Sequence, residues 1–195
     1  MARSNYGNAF AHHVLATTET EFRALLDLPD LQKEHGGNVF AWAREMGVNA
    51  KEITDFSSSI NPLGPPPTAR KAFFKSFNEI SRYPDVEGQE LKAVLARHHG
   101  VKAEEVLLGN GSTQLIQLLC RALMPRKALV VVPAFSEYDN ALKLVRAEIQ
   151  SYFLLPKHEF RLPLQEFING WDHGLEIIFL SNPNSVTGLV IPRKE

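Results

Sequence analysis

The residues best suited to chemistry lie between Val106 and Gln114, in the order Val-Leu-Leu-Gly-Asn-Gly-Ser-Thr-Gln. Two glycines and two hydroxyl residues precede a stretch, Leu115 to Met124, that is apolar at 115, 116, 118, 119, 122 and 123. That spacing is the stripe of a buried amphipathic helix, and Pro125 stops it. Ser112 or Thr113 is expected to cap its start. The junction collects unpaired backbone N–H groups, two hydroxyls and the positive end of a helix dipole at one point. Such a point takes an anion, most naturally a phosphate. Gly109 and Gly111 let the backbone turn and approach a ligand closely. The same residues also read as a capped helix after a tight turn, with no ligand at all. As a dinucleotide fingerprint the stretch is weak: Gln114 stands at the third glycine position, and the next apolar run ends in Pro133 without an acid to hold a ribose.

The rest of the chain must position that turn. Lys127–Pro133 is a continuous apolar run, the mark of a strand covered on both faces. Residues 135–146 have helical spacing through Tyr138, Ala141, Leu142 and Val145. Residues 148–155 read as a second strand, 164–168 as a short helix and 175–181 as a third strand. Strand, helix, strand, helix, strand predicts an α/β fold with a mainly parallel sheet. Ligands of such sheets gather beyond the carboxyl ends of the strands, where Pro133-Ala-Phe135 and Ser181-Asn-Pro-Asn-Ser185 lie. Upstream, Val39–Met46 reads as a helix ended by Gly47 and 53–60 as β-prone. Asn61-Pro-Leu-Gly-Pro-Pro-Pro67 reads as a rigid connector. Thr68 is expected to cap a helix whose Phe73, Phe74 and Phe77 form a core stripe, and Gln89–His99 is a helix ended by Gly100. Residues 1–34 read as a loosely docked extension with a short helix over 20–28. His12-His13 has no second pair at metal spacing, so no metal site is expected.

Composition narrows the classes. The chain has 195 residues, 21 basic against 22 acidic, and 44% hydrophobic content. That supports a real core and gives no basis for nucleic-acid or membrane binding. The single cysteine, Cys120, excludes an internal disulfide framework and fits a reducing, cytoplasmic compartment. It is expected in the core.

From His35 onward the chain resembles the N-terminal half of a pyridoxal-phosphate enzyme of the aspartate-aminotransferase fold. Within that fold it is most similar to threonine-phosphate decarboxylases of cobalamin biosynthesis, and next to histidinol-phosphate aminotransferases. The carrying residues are His35-Gly-Gly-Asn38, Asp55-Phe-Ser-Ser-Ser-Ile-Asn-Pro-Leu-Gly64, Arg82-Tyr-Pro-Asp85, Leu91 to His99, Gly109-Asn-Gly-Ser112, Pro133-Ala-Phe-Ser-Glu-Tyr138 and Asn182 to Gly188. The implied organisation is an extension over 1–34 and the N-terminal portion of an aminotransferase class I/II domain over 35–195.

The resemblance implies roles. Gly111, Ser112 and Thr113 match the cradle for the pyridoxal 5'-phosphate phosphate. Phe135 matches the aromatic that stacks on its ring. Tyr83 matches a tyrosine that reaches the cofactor of a neighbouring subunit, which implies a homodimer. His35 and Gly36 match substrate contacts for an amino-acid phosphate. Two positions depart from the family. The asparagine that donates to the cofactor's phenolic oxygen is Ser185 here, a shorter side chain without an amide, and a substrate-binding asparagine is Ser59. The family's Schiff-base lysine, its aspartate to the pyridine nitrogen and its substrate-carboxylate arginine come later than Glu195. No lysine here follows Ser or Thr, as the Schiff-base lysine does in the family. The chain is therefore expected to be a truncated form, inactive alone, holding the cofactor weakly and non-covalently. A complementing C-terminal half, or a non-catalytic binding role, are the alternatives to a homodimeric enzyme.

Overall fold

The structure, a computed structural model, describes residues 36–170 and 174–193. The extension over 1–34, its expected helix over 20–28, the His12-His13 pair and the candidate His35 lie outside the described residues. The chain divides into two compact units, Gly36–Leu115 and a second that holds Ile116 onward.

The first unit is helical. Val39–Met46 (α1) starts where the Asn38 side chain accepts from the Ala41 N–H, and ends where Gly47 turns left-handed at φ 67°. Pro67–Ser76 (α2) begins on Pro67 itself, which has no N–H to leave unpaired and a φ already set for a helix. Thr68 therefore falls inside the first turn instead of capping it. Gln89–His99 (α3) ends at Gly100, φ 68°, as its sequence predicts. Two further expectations fail here. The stretch 53–60 forms no strand, because Asp55 captures the Ser57 N–H that a ladder would need. The stripe Phe73, Phe74 and Phe77 is not core: these rings stay exposed and meet only edge-on, at 5.7 and 6.3 Å. The unit has no sheet to lay over them, and Ala43 and Ala96 are its only buried hydrophobic residues among those described.

The unit boundary falls inside Gly111–Leu123 (α4). Cys120 on α4 is fully buried, as expected, but Leu118, Leu119 and Leu123 are exposed, so the stripe is only partly covered.

The second unit is built on three parallel strands, Lys127–Val132 (β1), Glu148–Phe153 (β2) and Ile177–Phe179 (β3), in the order β2-β1-β3. In register, Ala128 lies opposite Ile149 and Ile177, and Val130 opposite Ser151 and Phe179. The period of two sorts β1 between two cores. Ala128 and Val130 pack with Cys120, Ala141, Leu142 and Phe179 on one face. Leu129 and Val131 pack with Tyr152, Leu154 and Phe167 on the other. Ala141 and Leu142 come from Glu137–Leu144 (α5), and Phe167 from Leu164–Gly170 (α6). The chain moves one way from β1 to β2 and back past β1 to β3, so right-handed crossovers must lie on opposite faces. Central β1 is thus apolar on both sides, as its continuous hydrophobic run predicts. Burying each Leu or Val of this layer contributes about 1.5–3 kcal/mol.

Glu176 fixes the start of β3. Its carboxylate accepts from the Arg126 backbone N–H at 2.6 Å and Nε at 3.0 Å, and its own N–H donates to Lys127 at 2.9 Å. Those N–H donors, with the guanidinium charge, hold the Glu176 carboxyl below the ordinary range.

Candidate functional site

The glycine turn runs directly into α4. Gly111 opens α4 at φ +83°, in the left-handed region that favours glycine. Its N–H turns back to the Gly109 carbonyl at 3.0 Å. The Gln114 side chain folds over to accept from the Asn110 N–H, so the loop ahead of the helix is tied down by the helix itself. Gly109 packs closely there: a Cβ would lie 2.7 Å from the tip of the Leu115 side chain, which would have to shift. The helix starts at Gly111, so Ser112 and Thr113 lie in its first turn and neither caps it. Among the described residues, no side-chain or turn hydrogen bond engages the N–H groups or hydroxyls of Ser112 and Thr113. The first N–H groups of a helix have no partner within it, so these donors are left to solvent or a ligand.

The other candidates of the first unit fall into two places. Gly36 is pressed onto the 55–59 segment so closely that a Cβ would lie 2.0 Å from the Ser57 carbonyl oxygen. Gly36 and Ser57 are thereby brought together, and Ser59, two residues on, is exposed. The hub of this contact is Asp55, which the sequence reading quoted but gave no role. Its Oδ1 accepts from the Ser57 N–H at 2.7 Å and hydroxyl at 2.6 Å, and its Oδ2 accepts from the Ser58 hydroxyl at 2.7 Å. These donors, the Ser57 hydroxyl foremost, hold the Asp55 carboxyl below the ordinary range. Tyr83, on the loop before α3, is 99% exposed. That loop is anchored by Asp85, whose carboxylate accepts from the Gln89 and Glu87 N–H groups at 2.8 and 3.1 Å and is likewise held low.

In the second unit the candidates sit past the carboxyl ends of β1 and β3. Phe135 follows β1, half-buried, with its ring edge-on to Tyr138 at 6.0 Å. Tyr138 stacks on Phe179 at 4.7 Å, and its hydroxyl meets the Ser181 hydroxyl at 3.1 Å. Ser185 is exposed on the loop after β3. The residue that joins the two ends is Asn184, 6% exposed. Its Nδ2 donates to the Pro133 carbonyl at 2.8 Å, and its Oδ1 accepts from the Val186 and Thr187 N–H groups, both at 2.9 Å. Asn182 exchanges two bonds with Ile191, at 2.9 and 3.3 Å. Both asparagines are thus spent on holding the loop, and Ser185 is the residue it presents. An asparagine after a strand is so common a turn former that nothing in its type announces the tie to Pro133.

Comparison with known proteins gives this geometry a family. A family model for aminotransferase class I and II matches residues 51–195. The chain belongs to that family. Threonine-phosphate decarboxylase of Salmonella typhimurium is 37% identical over 159 residues, 82% of this chain and 43% of the relative. Histidinol-phosphate aminotransferase 2 of Nitrosospira multiformis is 34% identical over 159 residues, 80% of this chain and 40% of the relative. Among solved structures, L-threonine-O-3-phosphate decarboxylase from Porphyromonas gingivalis superposes with a TM-score of 0.62 at 25% identity, over 73% of this chain and 41% of that one. The chain thus spans 43% and 40% of the curated relatives named here. The parallel α/β architecture expected from the sequence is the architecture of this family. No helix among the described residues is long and apolar enough to cross a membrane.

Proposed function

We propose that residues 35–195 are the cofactor-phosphate and substrate-entry portion of a pyridoxal-phosphate enzyme acting on a phosphorylated amino acid, with residues 1–34 an extension ahead of it. Decarboxylation of threonine phosphate is the favoured reaction. The observation that carries this reading is the start of α4: a left-handed Gly111 followed by the unengaged N–H groups and hydroxyls of Ser112 and Thr113. Donors of this kind at a helix start are suited to hold a phosphate. Pyridoxal phosphate, when bound, supplies a conjugated electron sink for the amino acid's α-carbon.

The chain's own residues have separable tasks. Gly111, Ser112 and Thr113 hold the phosphate. Phe135, whose orientation is set by Tyr138, offers an aromatic face to a flat ring. Ser185 has a hydroxyl that can donate where the family uses an amide, with a shorter reach. His35, Gly36 and Ser59 take the substrate. Tyr83, fully exposed on an anchored loop, serves a second copy of the chain, so the working form is a dimer or a complex with a complementing half. Residues 1–195 by themselves carry no covalent step, since no lysine in them follows Ser or Thr. The buried lone thiol of Cys120 suits a cytoplasmic setting.

The relatives carry two activities in their names, so the test must separate them. Saturation-transfer NMR on residues 1–195 is run with pyridoxal phosphate, O-phospho-L-threonine and histidinol phosphate in turn. The expected result is transfer to the cofactor and stronger transfer to O-phospho-L-threonine than to histidinol phosphate. The reverse order would favour the aminotransferase, and no transfer to the cofactor would remove the reading. Borohydride added to the cofactor mixture should leave no single lysine stoichiometrically labelled.

A further inference from the structure

The contact between the Gly36-Gly37 turn and the 55–59 segment joins residues about twenty positions apart and lies outside any helix or strand of the described residues. Two kinds of contact hold it. One is steric: the Gly36 backbone lies against Ser57 with room for no side chain. The other is a relay. The Gly37 N–H donates to the Ser57 hydroxyl oxygen at 2.7 Å, and that hydroxyl donates in turn to Asp55 Oδ1 at 2.6 Å. A hydroxyl that donates to a carboxylate becomes a better acceptor, so the two bonds reinforce each other. The Ser58 hydroxyl occupies the second carboxylate oxygen at 2.7 Å. One carboxylate therefore fixes the rotamers of both serines and, through one of them, the neighbouring turn.

We infer that Asp55 is a positioning residue: through the Ser57 hydroxyl it holds the Gly36-Gly37 turn on the Ser57–Ser59 segment, keeping the two substrate-contacting stretches together. The relay is a property of the geometry; its bearing on substrate rests on the function proposed above. Gly37 supplies the readout. Its left-handed φ of +85° leaves its N–H pointing at the Ser57 hydroxyl, so the exchange rate of that amide reports the relay directly. Asp55 is exposed and outside both sheet cores, so its replacement should leave the sheet intact.

The experiment measures amide exchange in the ¹⁵N-labelled chain, in Asp55→Ala, Asp55→Asn, Ser57→Ala and the double variant D55A/S57A. Exchange at Gly37 should rise about tenfold in Asp55→Ala and in Ser57→Ala. It should rise less in Asp55→Asn, which keeps one acceptor oxygen. It should rise no further in the double variant, because both residues act through one chain of bonds. Exchange at Val130 and Val131 should stay at the native rate in all four. Additive effects, or an unchanged Gly37 in Asp55→Ala and Asp55→Asn, would overturn the relay. The same samples are titrated with O-phospho-L-threonine, read at the Gly36 and Ser59 amides. Binding about tenfold weaker in Asp55→Ala supports the positioning role. Undiminished binding in a variant with a freed Gly37 amide would overturn it. No response in the native chain would defeat the substrate reading and leave the exchange comparison to decide the relay.

Discussion

Replacing Asn184 tests how the loops after β1 and β3 are joined. Asn184→Ala removes one bond to the Pro133 carbonyl and two from the Val186 and Thr187 N–H groups. A net hydrogen bond is worth about 1 kcal/mol, and a half-buried donor left unpaired costs at least as much. The loop should therefore open more easily by about 3 kcal/mol, which makes exchange at Val186 and Thr187 about a hundredfold faster. Val130 and Val131 should change far less, since β1 is held by two cores. Asn184→Asp separates the donor from the acceptors. A carboxylate still accepts from Val186 and Thr187 but no longer donates to the Pro133 carbonyl, so exchange at these two amides should rise less than in Asn184→Ala. Equal exchange at Val186 in Asn184→Ala and the native chain would refute the assignment.

Other outcomes follow from the same contacts. The Glu176 carboxyl is held low by the Arg126 N–H donors, so its contribution to β3 is full above the ordinary carboxylate pKa and is lost as pH falls through the folded value. Protection at Ile177 and Ile178 should drop with acid in the native chain and be flat over that range in Glu176→Gln. Leu142→Ala, at a fully buried position between α5 and the sheet, should cost about 2–5 kcal/mol in chemical denaturation followed by tyrosine fluorescence of the sheet unit. The exposed rings of α2, with Tyr83, Phe56 and Leu63, should drive self-association. A clean monomer in sedimentation at about 50 μM, a concentration that would populate a micromolar dimer, would contradict that.

What could be read from the chain in advance follows a physical division. The sheet unit was legible because burial on both faces writes itself as an unbroken apolar run in β1, and crossover helices write a helical period between strands. α1 and α3 were legible from their left-handed C-terminal glycines. The α2 stripe misled because spacing records which side chains share a face and not whether anything covers it. Thr68 and Ser112 misled for a related reason: several hydroxyls near a helix start can cap, and a proline at the first position or a glycine in the left-handed region decides which residue begins the helix. The β-prone character of 53–60 lost out to side-chain competition. Asp55 and its serines offer the backbone a local partner that β-propensity does not weigh. Asn184 and Ser57, each of which ties down a loop in its own unit, carried no signal of their own, because their partners at Pro133 and Gly37 are set by tertiary placement.

The measurement that tests the central claim most directly is an amide titration of the ¹⁵N-labelled chain with inorganic phosphate and then with pyridoxal phosphate. Exposed charge–dipole contacts at a helix start are worth about 0.3–1 kcal/mol each, and a few of them give millimolar affinity. The account predicts that Gly111, Ser112 and Thr113 shift together with both ligands. It also predicts that Gly111→Val, which puts a β-branched residue at a φ of +83°, abolishes the response. Shifts elsewhere with these amides unmoved, or an unchanged response in Gly111→Val, would contradict it.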